Sequence, residues 1–332
     1  MFTTSSEELS MQYLRQNGHR TVTESADRVL ISSLISNIRS AIMLDGDKLE
    51  LIIAALLAQG HVLLEDVPGI GKTITARALA YSLHASFKRI QCTPDLLPGD
   101  VTGNAIYNQR ESRFEFVKGA IFANIVLVDE INRASPRTQS SLLESMAERQ
   151  VTSDGFTYPL PDPFFLIATQ NPIEMTGTFP LPEAQLDRFL ISLNLGYPSF
   201  EDEVTILERE EHSNPLANLQ AVISIDEIKR LQSAAQAVDV ARSLKEYIVR
   251  LNQASRAHPD LILGVSPRGG VGLQRMAQAL ALLQSRTFVT PDDIRRAAPA
   301  VLAHRVFARD RRIESARDVI VSILRDTTVP AF

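Results

Sequence analysis

The sequence predicts an α/β domain, a parallel sheet sandwiched by helices, followed by a smaller all-α domain. Three observations carry that prediction. The first is HVLLEDVPGIGKT at residues 61–73, where an apolar run ends in a glycine-bracketed turn and a Lys-Thr pair opens a helix. The second is ANIVLVDE at residues 123–130, a short β-branched run of the kind that forms a central parallel strand, with two carboxylates at its C-terminal end. The third is a change of pattern near residue 222, after which capped helices follow one another and no strand of convincing length appears.

Taken in order, residues 1–25 are polar and rich in Ser, Thr and Glu, as expected of a loosely ordered leader or helical appendage. Val29, Leu30, Leu34, Ile38 and Ile42 recur at helical spacing, and Leu49 to Ala58 form a second helix before Gly60. His61 to Leu64 read as a buried strand, ITARALAYSLHA as the helix after the glycine turn, and FKRIQC (87–92) as the next strand. NAIYNQ and RFEFVKG alternate about the polar centre Arg110 to Ser112, which predicts a hairpin inserted into a helical layer and serving something beyond nucleotide binding.

Ser135 and Pro136 cap and open the helix PRTQSSLLESMAER, and Asp154-Gly155 sits at the turn of a second hairpin. PFFLIATQN is a central strand ending at Gln170-Asn171. LPEAQLDRFLISLNLGYPS holds a short helix and a strand ending at Gly196, and Ser199 caps a charged helix through Glu211. Residues His212 to Ala221 read as a linker. Beyond it Ser224 with Glu227 forms a capping box, and Ser266-Pro267 and Thr290-Pro291 open two further helices. The division expected is a leader over 1–25, an α/β nucleotide-binding domain over 26–212 and a helical domain over 222–332.

The chemistry concentrates at strand ends. Gly69 and Gly71 permit positive φ and close approach of backbone to a ligand. N–H groups at the start of the following helix would point at phosphate oxygens, Lys72 would reach the β- and γ-phosphates, and the Thr73 hydroxyl would ligate Mg²⁺. The nucleotide-binding set is therefore Pro68, Gly69, Ile70, Gly71, Lys72, Thr73 and Ile74. Asp66 stands where the G-x-x-x-x-G-K-[ST] pattern has its first glycine, so the match is incomplete. Asp129 is placed to hold Mg²⁺ through water and Glu130 to orient and deprotonate an attacking water.

Further along, Asn171 reads either as a γ-phosphate contact or as an ordinary turn former before Pro172. Arg188 projects from a base anchored by Leu186 and Phe189. Arg268 lies in a first helical turn whose start is loosened by Gly269 and Gly270.

Composition bounds the partners. The 332 residues are 45% hydrophobic, enough to bury a core in each of two domains. No apolar stretch approaches the roughly 20 residues of a membrane span, and the start has no apolar secretory segment, so a cytoplasmic protein is expected. Cys92 is the single cysteine, a small buried hydrophobe at a strand end, and no Cys/His cluster has zinc spacing. A net charge of −5 and a pI near 5.8 give no global drive toward nucleic acid. The basic run Arg305, Arg309, Arg311, Arg312 reads as a solvated or interdomain face.

The ordered stretches LLEDVPGIGKT, LLPGDVTG, VLVDEINRA, IATQNP, EAQLDRF and SPRGG closely resemble the MoxR group of AAA+ ATPases over residues from about 30 to 330. That resemblance implies the AAA+ P-loop fold, a parallel sheet between helices with a small all-α lid domain behind it. Glu-Asp-Val-Pro-Gly is what MoxR proteins commonly carry around the Asp66 position.

By the same resemblance Lys72 and Thr73 are the Walker A pair, Asp129 and Glu130 the Walker B pair, Asn171 sensor 1, Arg188 the arginine finger and Arg268 sensor 2. Arg133 and Arg137 are alternative fingers. The family implies ATP and Mg²⁺ as cofactors, a homo-oligomeric ring, usually hexameric, and a partner with a von Willebrand factor A domain together with a client complex. The activity it implies is ATP-driven remodelling of another protein. A nucleotide-gated binding module and a DNA-acting or chelatase-like motor subunit are the alternatives.

Overall fold

The computed structural model describes residues 26–66, 71–171, 177–210, 216, 219–310 and 313–329. The predicted leader, and Pro68, Gly69 and Ile70 of the predicted phosphate loop, lie outside the described residues. A helix over 26–41 (α1) is followed by α2 (Gly46–Leu57), whose N-cap Asp45 accepts hydrogen bonds from the N–H groups of Asp47 and Lys48 at 2.8 and 3.2 Å. Then come β1 (Val62–Glu65), α3 (Lys72–Ser82), β2 (Phe87–Gln91), the single-turn α4 (Pro98–Thr102) and the first hairpin, β3 (Gly103–Asn108) with β4 (Arg113–Lys118).

Strand β5 (Ile125–Asp129), helix α5 (Pro136–Glu148), the second hairpin β6 (Gln150–Ser153) with β7 (Phe156–Pro159), β8 (Phe165–Gln170), α6 (Glu183–Leu186) and β9 (Ile191–Leu193) complete the α/β part. Behind α7 (Phe200–Glu210) the chain is helical: α8 (Ile225–Gln236), α9 (Arg242–Ala257), α10 (Pro267–Leu283), α11 (Pro291–Leu302) and α12 (Ile313–Asp326). The two strands here, β10 (Leu261–Leu263) and β11 (Phe307–Ala308), form one small ribbon. Helix starts follow the cap chemistry, with the Ser224/Glu227 box on α8, Ser266-Pro267 on α10 and Thr290-Pro291 on α11.

Five strands pair in parallel in the order β2-β5-β8-β1-β9. Successive side chains on one strand point to opposite faces, and here both faces are covered. Val62, Leu64, Ile125, Leu127 and Ile167 join one buried cluster with α2 and α3, while Leu63, Val126, Val128 and Leu166 join another with Leu142, Leu143 and Met146 of α5. This double burial explains why the strands read as continuous apolar runs. The first cluster continues into the helical part through Leu273, Leu280 and Val301, so the lid packs directly on the sheet's helical layer.

Strand β9 ends at Leu193, short of the expected Gly196, because the next N–H groups have another acceptor. Those of Leu195 and Gly196 donate to the Asp66 carboxylate at 2.6 and 3.2 Å. The aspartate that breaks the glycine pattern therefore ties the end of β1 to the segment after β9. Burial pushes its carboxyl up from the ordinary range, against the two N–H donors and the charges of Lys72 and Lys48 that hold it down.

Candidate functional site

The C-terminal ends of β1, β5 and β8 converge where the sheet order changes direction, the usual ligand position in open parallel sheets. Gly71 caps α3 in the left-handed conformation at φ 84°, and nothing lies within 4 Å of where a Cβ would stand. No side chain caps the start of α3, the form of helix N-terminus that receives an anion. Lys72 donates to the Asp66 carbonyl at 2.9 Å. Burial lowers its pKa, opposed by the carboxylates of Asp66, Asp129 and Glu130.

Across the cleft, Asp129 is buried at the end of β5 and Glu130 follows at φ 54°, ψ 52°, a left-handed conformation that a non-glycine residue holds only when its surroundings impose it. The imposing contact is the Glu130 N–H, which donates to Thr169 Oγ1 on β8 at 2.9 Å, while that hydroxyl lies 3.4 Å from Asp129 Oδ1. Arg89 Nε donates to Asp129 Oδ2 at 2.6 Å. Glu130 Oε2 accepts from Gln91 Nε2 at 3.1 Å and from Arg133 at 3.0 Å.

These groups enclose a cavity of about 320 Å³ whose lining includes Gly71, Lys72, Thr73, Asp129, Glu130 and Asn171. The structure therefore brings together every described member of the predicted phosphate and carboxylate set, and Ile74 lines the same cavity. Its donors fit a magnesium nucleotide. Thr73 and Asp129 both line it and offer oxygen ligands. That composition suits Mg²⁺, which keeps waters and takes substrate phosphates as its remaining ligands.

Arg188 and Arg268 are not in this cleft. They line a second cavity of about 260 Å³ together with Arg149, Arg275, Arg305 and Asp187, and the two cavities share no lining residue. Arg188 donates to the Leu143 carbonyl of α5 at 3.0 Å. Its neighbour Asp187 receives Arg305 at 2.8 Å and the Ser266 hydroxyl, the N-cap of α10, at 3.3 Å.

Arg305 is 6% exposed and also donates to the carbonyls of Leu190, at 3.0 Å, and of Phe189 and Val301. Burial brings its pKa down to about 10. The first arginine of the basic run is thus an internal clamp between lid and sheet, and Arg309 donates to the Pro259 carbonyl at 2.6 Å. Arg311 and Arg312 lie outside the described residues.

The glycines after Arg268 tighten the helix start, contrary to the expectation that they loosen it. A Cβ on Gly269 would meet Val265 Cγ1 at 2.6 Å and Arg305 Cδ at 3.1 Å, and one on Gly270 would meet Asn252 Nδ2 at 2.5 Å. Both positions exist to let α10 pack closely. Arg89, Gln91 and Thr169 are site residues that the sequence reading passed over. The available signal was alternation: Phe87, Arg89 and Gln91 share one side of an edge strand, and Thr169 interrupts an apolar central one.

Residues 61–191 match the family described as "ATPase family associated with various cellular activities (AAA)", and residues 253–323 match "AAA lid domain". The Chaperone MoxR1 of Mycobacterium tuberculosis is 43% identical over 266 residues, covering 77% of this chain and 70% of that one. The chain belongs to the MoxR family of AAA+ ATPases.

A second relative, the uncharacterized protein YeaC of Bacillus subtilis, is 54% identical over 277 residues, 83% of this chain and 87% of its own. A crystal structure of a protein from Cytophaga hutchinsonii superposes with a TM-score of 0.88 at 34% identity, over 96% of this chain and all of that one. The chain has the AAA+ architecture of a parallel sheet between helices with a small helical lid, and that architecture supports a nucleotide-hydrolysing activity in general.

Proposed function

We propose that this protein is an ATP-hydrolysing subunit of a homo-oligomeric ring, a MoxR-type chaperone that uses hydrolysis to remodel or mature a partner protein or complex. The observation that carries the reading is the separation of two complementary half-sites. One cleft holds the phosphate cradle and the acidic pair, and a different cavity holds Arg188 and Arg268.

In the cleft, the N–H groups of the first turn of α3 and Lys72 would hold the β- and γ-phosphates, and Thr73 with Asp129 would hold Mg²⁺, whose charge would offset that of the phosphate oxygens. Glu130 takes a proton from the attacking water, and Asn171 orients the terminal phosphate. Arg188 and Arg268 lie away from their own subunit's cleft, so they serve the ATP of a neighbour in a head-to-tail ring. Arg133 is engaged with its own Glu130, which favours Arg188 over it as the finger.

The hairpins are the proposed contact elements for a client. Tyr107 and Phe114 meet edge to face at 5.3 Å on the exposed side of the first, and Phe156 stands exposed on the second. A partner with a von Willebrand factor A domain and a hexameric ring are proposed from resemblance to the MoxR group, and the cytoplasm, where ATP is available, is the proposed setting. No helix among the described residues is long and apolar enough to cross a membrane. The DNA-motor alternative loses support because Arg305 and Arg309 are both engaged within the fold.

The test is Glu130→Gln. It is expected to bind MgATP with affinity close to the parent and to turn it over at least about a hundredfold more slowly, the usual contribution of a positioned base. Turnover close to that of the parent would remove Glu130 from the chemistry.

A further inference from the structure

We propose that Arg89 is the internal counter-ion of Asp129, and that it competes with the divalent cation for this carboxylate and so sets the cation concentration at which the nucleotide site loads. The inference rests on the assignment of Asp129 to the cation. Asp129 has a side chain only 9% exposed, and a carboxylate withdrawn from water requires a positive partner. The other cations of the cleft are committed elsewhere. Lys72 donates to the Asp66 carbonyl and Arg133 to Glu130. Arg89 makes a direct hydrogen bond to Asp129, from Nε to Oδ2 at 2.6 Å.

That bond engages one of the two oxygens through which Asp129 can serve a cation, directly or through water, while Oδ1 faces Thr169. Arg89 and a divalent ion are therefore rivals for the same charge. Arg89 is also placed to yield. It stands on edge strand β2 with its side chain 51% exposed, so its guanidinium has water to turn into and loses little by leaving.

Its departure has a second effect, because its other arm donates to Gln91 Oε1 at 3.1 Å, and Gln91 in turn donates to Glu130 Oε2. Arg89, Gln91 and Glu130 form one polar chain. Release of its first member frees Gln91 to turn, so cation loading and the freedom of Glu130 are linked through these side chains. Arg89 is a positioning residue: it acts through Asp129 and Gln91 and needs no contact with the reacting phosphate.

The experiment uses the full chain with the non-hydrolysable β,γ-imido analogue of ATP, and follows Mn²⁺ uptake into the complex by electron paramagnetic resonance. This readout is independent of turnover. Arg89→Gln is expected to lower the Mn²⁺ concentration at half-occupancy by about fivefold, the scale of a half-exposed ion pair. Arg89→Lys, which retains the charge without the planar fork, is expected to fall between the two. An unchanged or raised midpoint in Arg89→Gln overturns the proposal, provided Asp129→Asn raises the parent's midpoint. If Asp129→Asn leaves that midpoint where it was, Asp129 is not a cation ligand, and the underlying assignment fails separately and takes the proposal with it. Melting in nucleotide-free buffer is expected to stay cooperative in every variant, with a lower midpoint for Arg89→Gln because the Asp129 carboxylate loses its counter-ion, and a single cooperative transition shows that the fold is intact.

Discussion

Acid should destabilise this fold through His61, and by an amount that can be worked out. His61 is buried at the entrance to β1. Its Nδ1 accepts the Leu166 N–H at 3.1 Å, its ring packs edge-on against Phe164 at 5.5 Å, and its carbonyl receives the Leu190 N–H at 2.8 Å. Burial first, and the nearby Arg149 charge second, bring its pKa from 6.5 down to about 3. Because the folded value is depressed, the unfolded chain takes up the proton first. Stability is fully present above the unfolded pKa and is lost as pH falls from about 6.5 toward 3. Moving from pH 7 to pH 5 should cost about 2 kcal/mol through this residue alone.

His304 is lowered well below its ordinary range by burial and by Arg305, and it adds a loss of the same sign. The assay is urea unfolding at both pH values for the parent and for His61→Asn, whose amide oxygen can still accept the Leu166 N–H but does not titrate. The parent should lose about 2 kcal/mol more than the variant between the two pH values. Equal losses would refute the reasoning, whatever the absolute stability of the variant.

Two further outcomes follow from the geometry. Lys72→Ala removes the side-chain cation from a cradle otherwise built of backbone donors, so binding of ATP by calorimetry and turnover should both fall by at least about tenfold, and retention of both would reject the cradle. Arg305→Met leaves Asp187 with only the Ser266 hydroxyl and should cost about 3 kcal/mol or more in urea unfolding, with ATPase activity falling as the Asp187-Arg188 segment loosens. Stability within about 0.5 kcal/mol of the parent would show that the clamp is dispensable.

The sheet was legible because its strands are buried on both faces. IVLVD and FLIATQ announce themselves as largely apolar runs, and the first places two carboxylates at the C-terminal end of its strand. Caps made the lid helices equally plain at Ser224, Ser266 and Thr290. What the sequence hid was long-range partnership. Asp66 looked like a flaw in a glycine pattern, and its reason lies 129 and 130 residues away at the N–H groups of Leu195 and Gly196.

Arg305 stood in a basic run read as a solvated or interdomain face, and it takes the interdomain place, although nothing local tells a buried guanidinium from a solvated one. Its acceptors are the Asp187 carboxylate and the carbonyls of residues 189, 190 and 301. Gly269 and Gly270 were read as freedom and are instead close packing, a distinction that depends on what stands opposite them in space. Local propensity carries elements and their ends. The polar cross-links that lock a site are set by tertiary approach.

The central claim, that Arg188 serves the ATP of a neighbouring subunit, is tested most directly by mixing two inactive proteins. Lys72→Ala keeps the finger and lacks the cradle, and Arg188→Ala keeps the cradle and lacks the finger. In a head-to-tail ring assembled at random from equal amounts, about a quarter of interfaces would join an intact cradle to an intact finger, each regaining the factor of about 10³ to 10⁵ in rate that such an arginine supplies. The measurement is ATPase rate against mixing ratio, with co-expression and two affinity tags to prove that mixed assemblies formed. The account predicts activity that peaks near equal amounts at roughly a quarter of the parent's rate. Mixed assemblies as inactive as either parent variant at every ratio would contradict it.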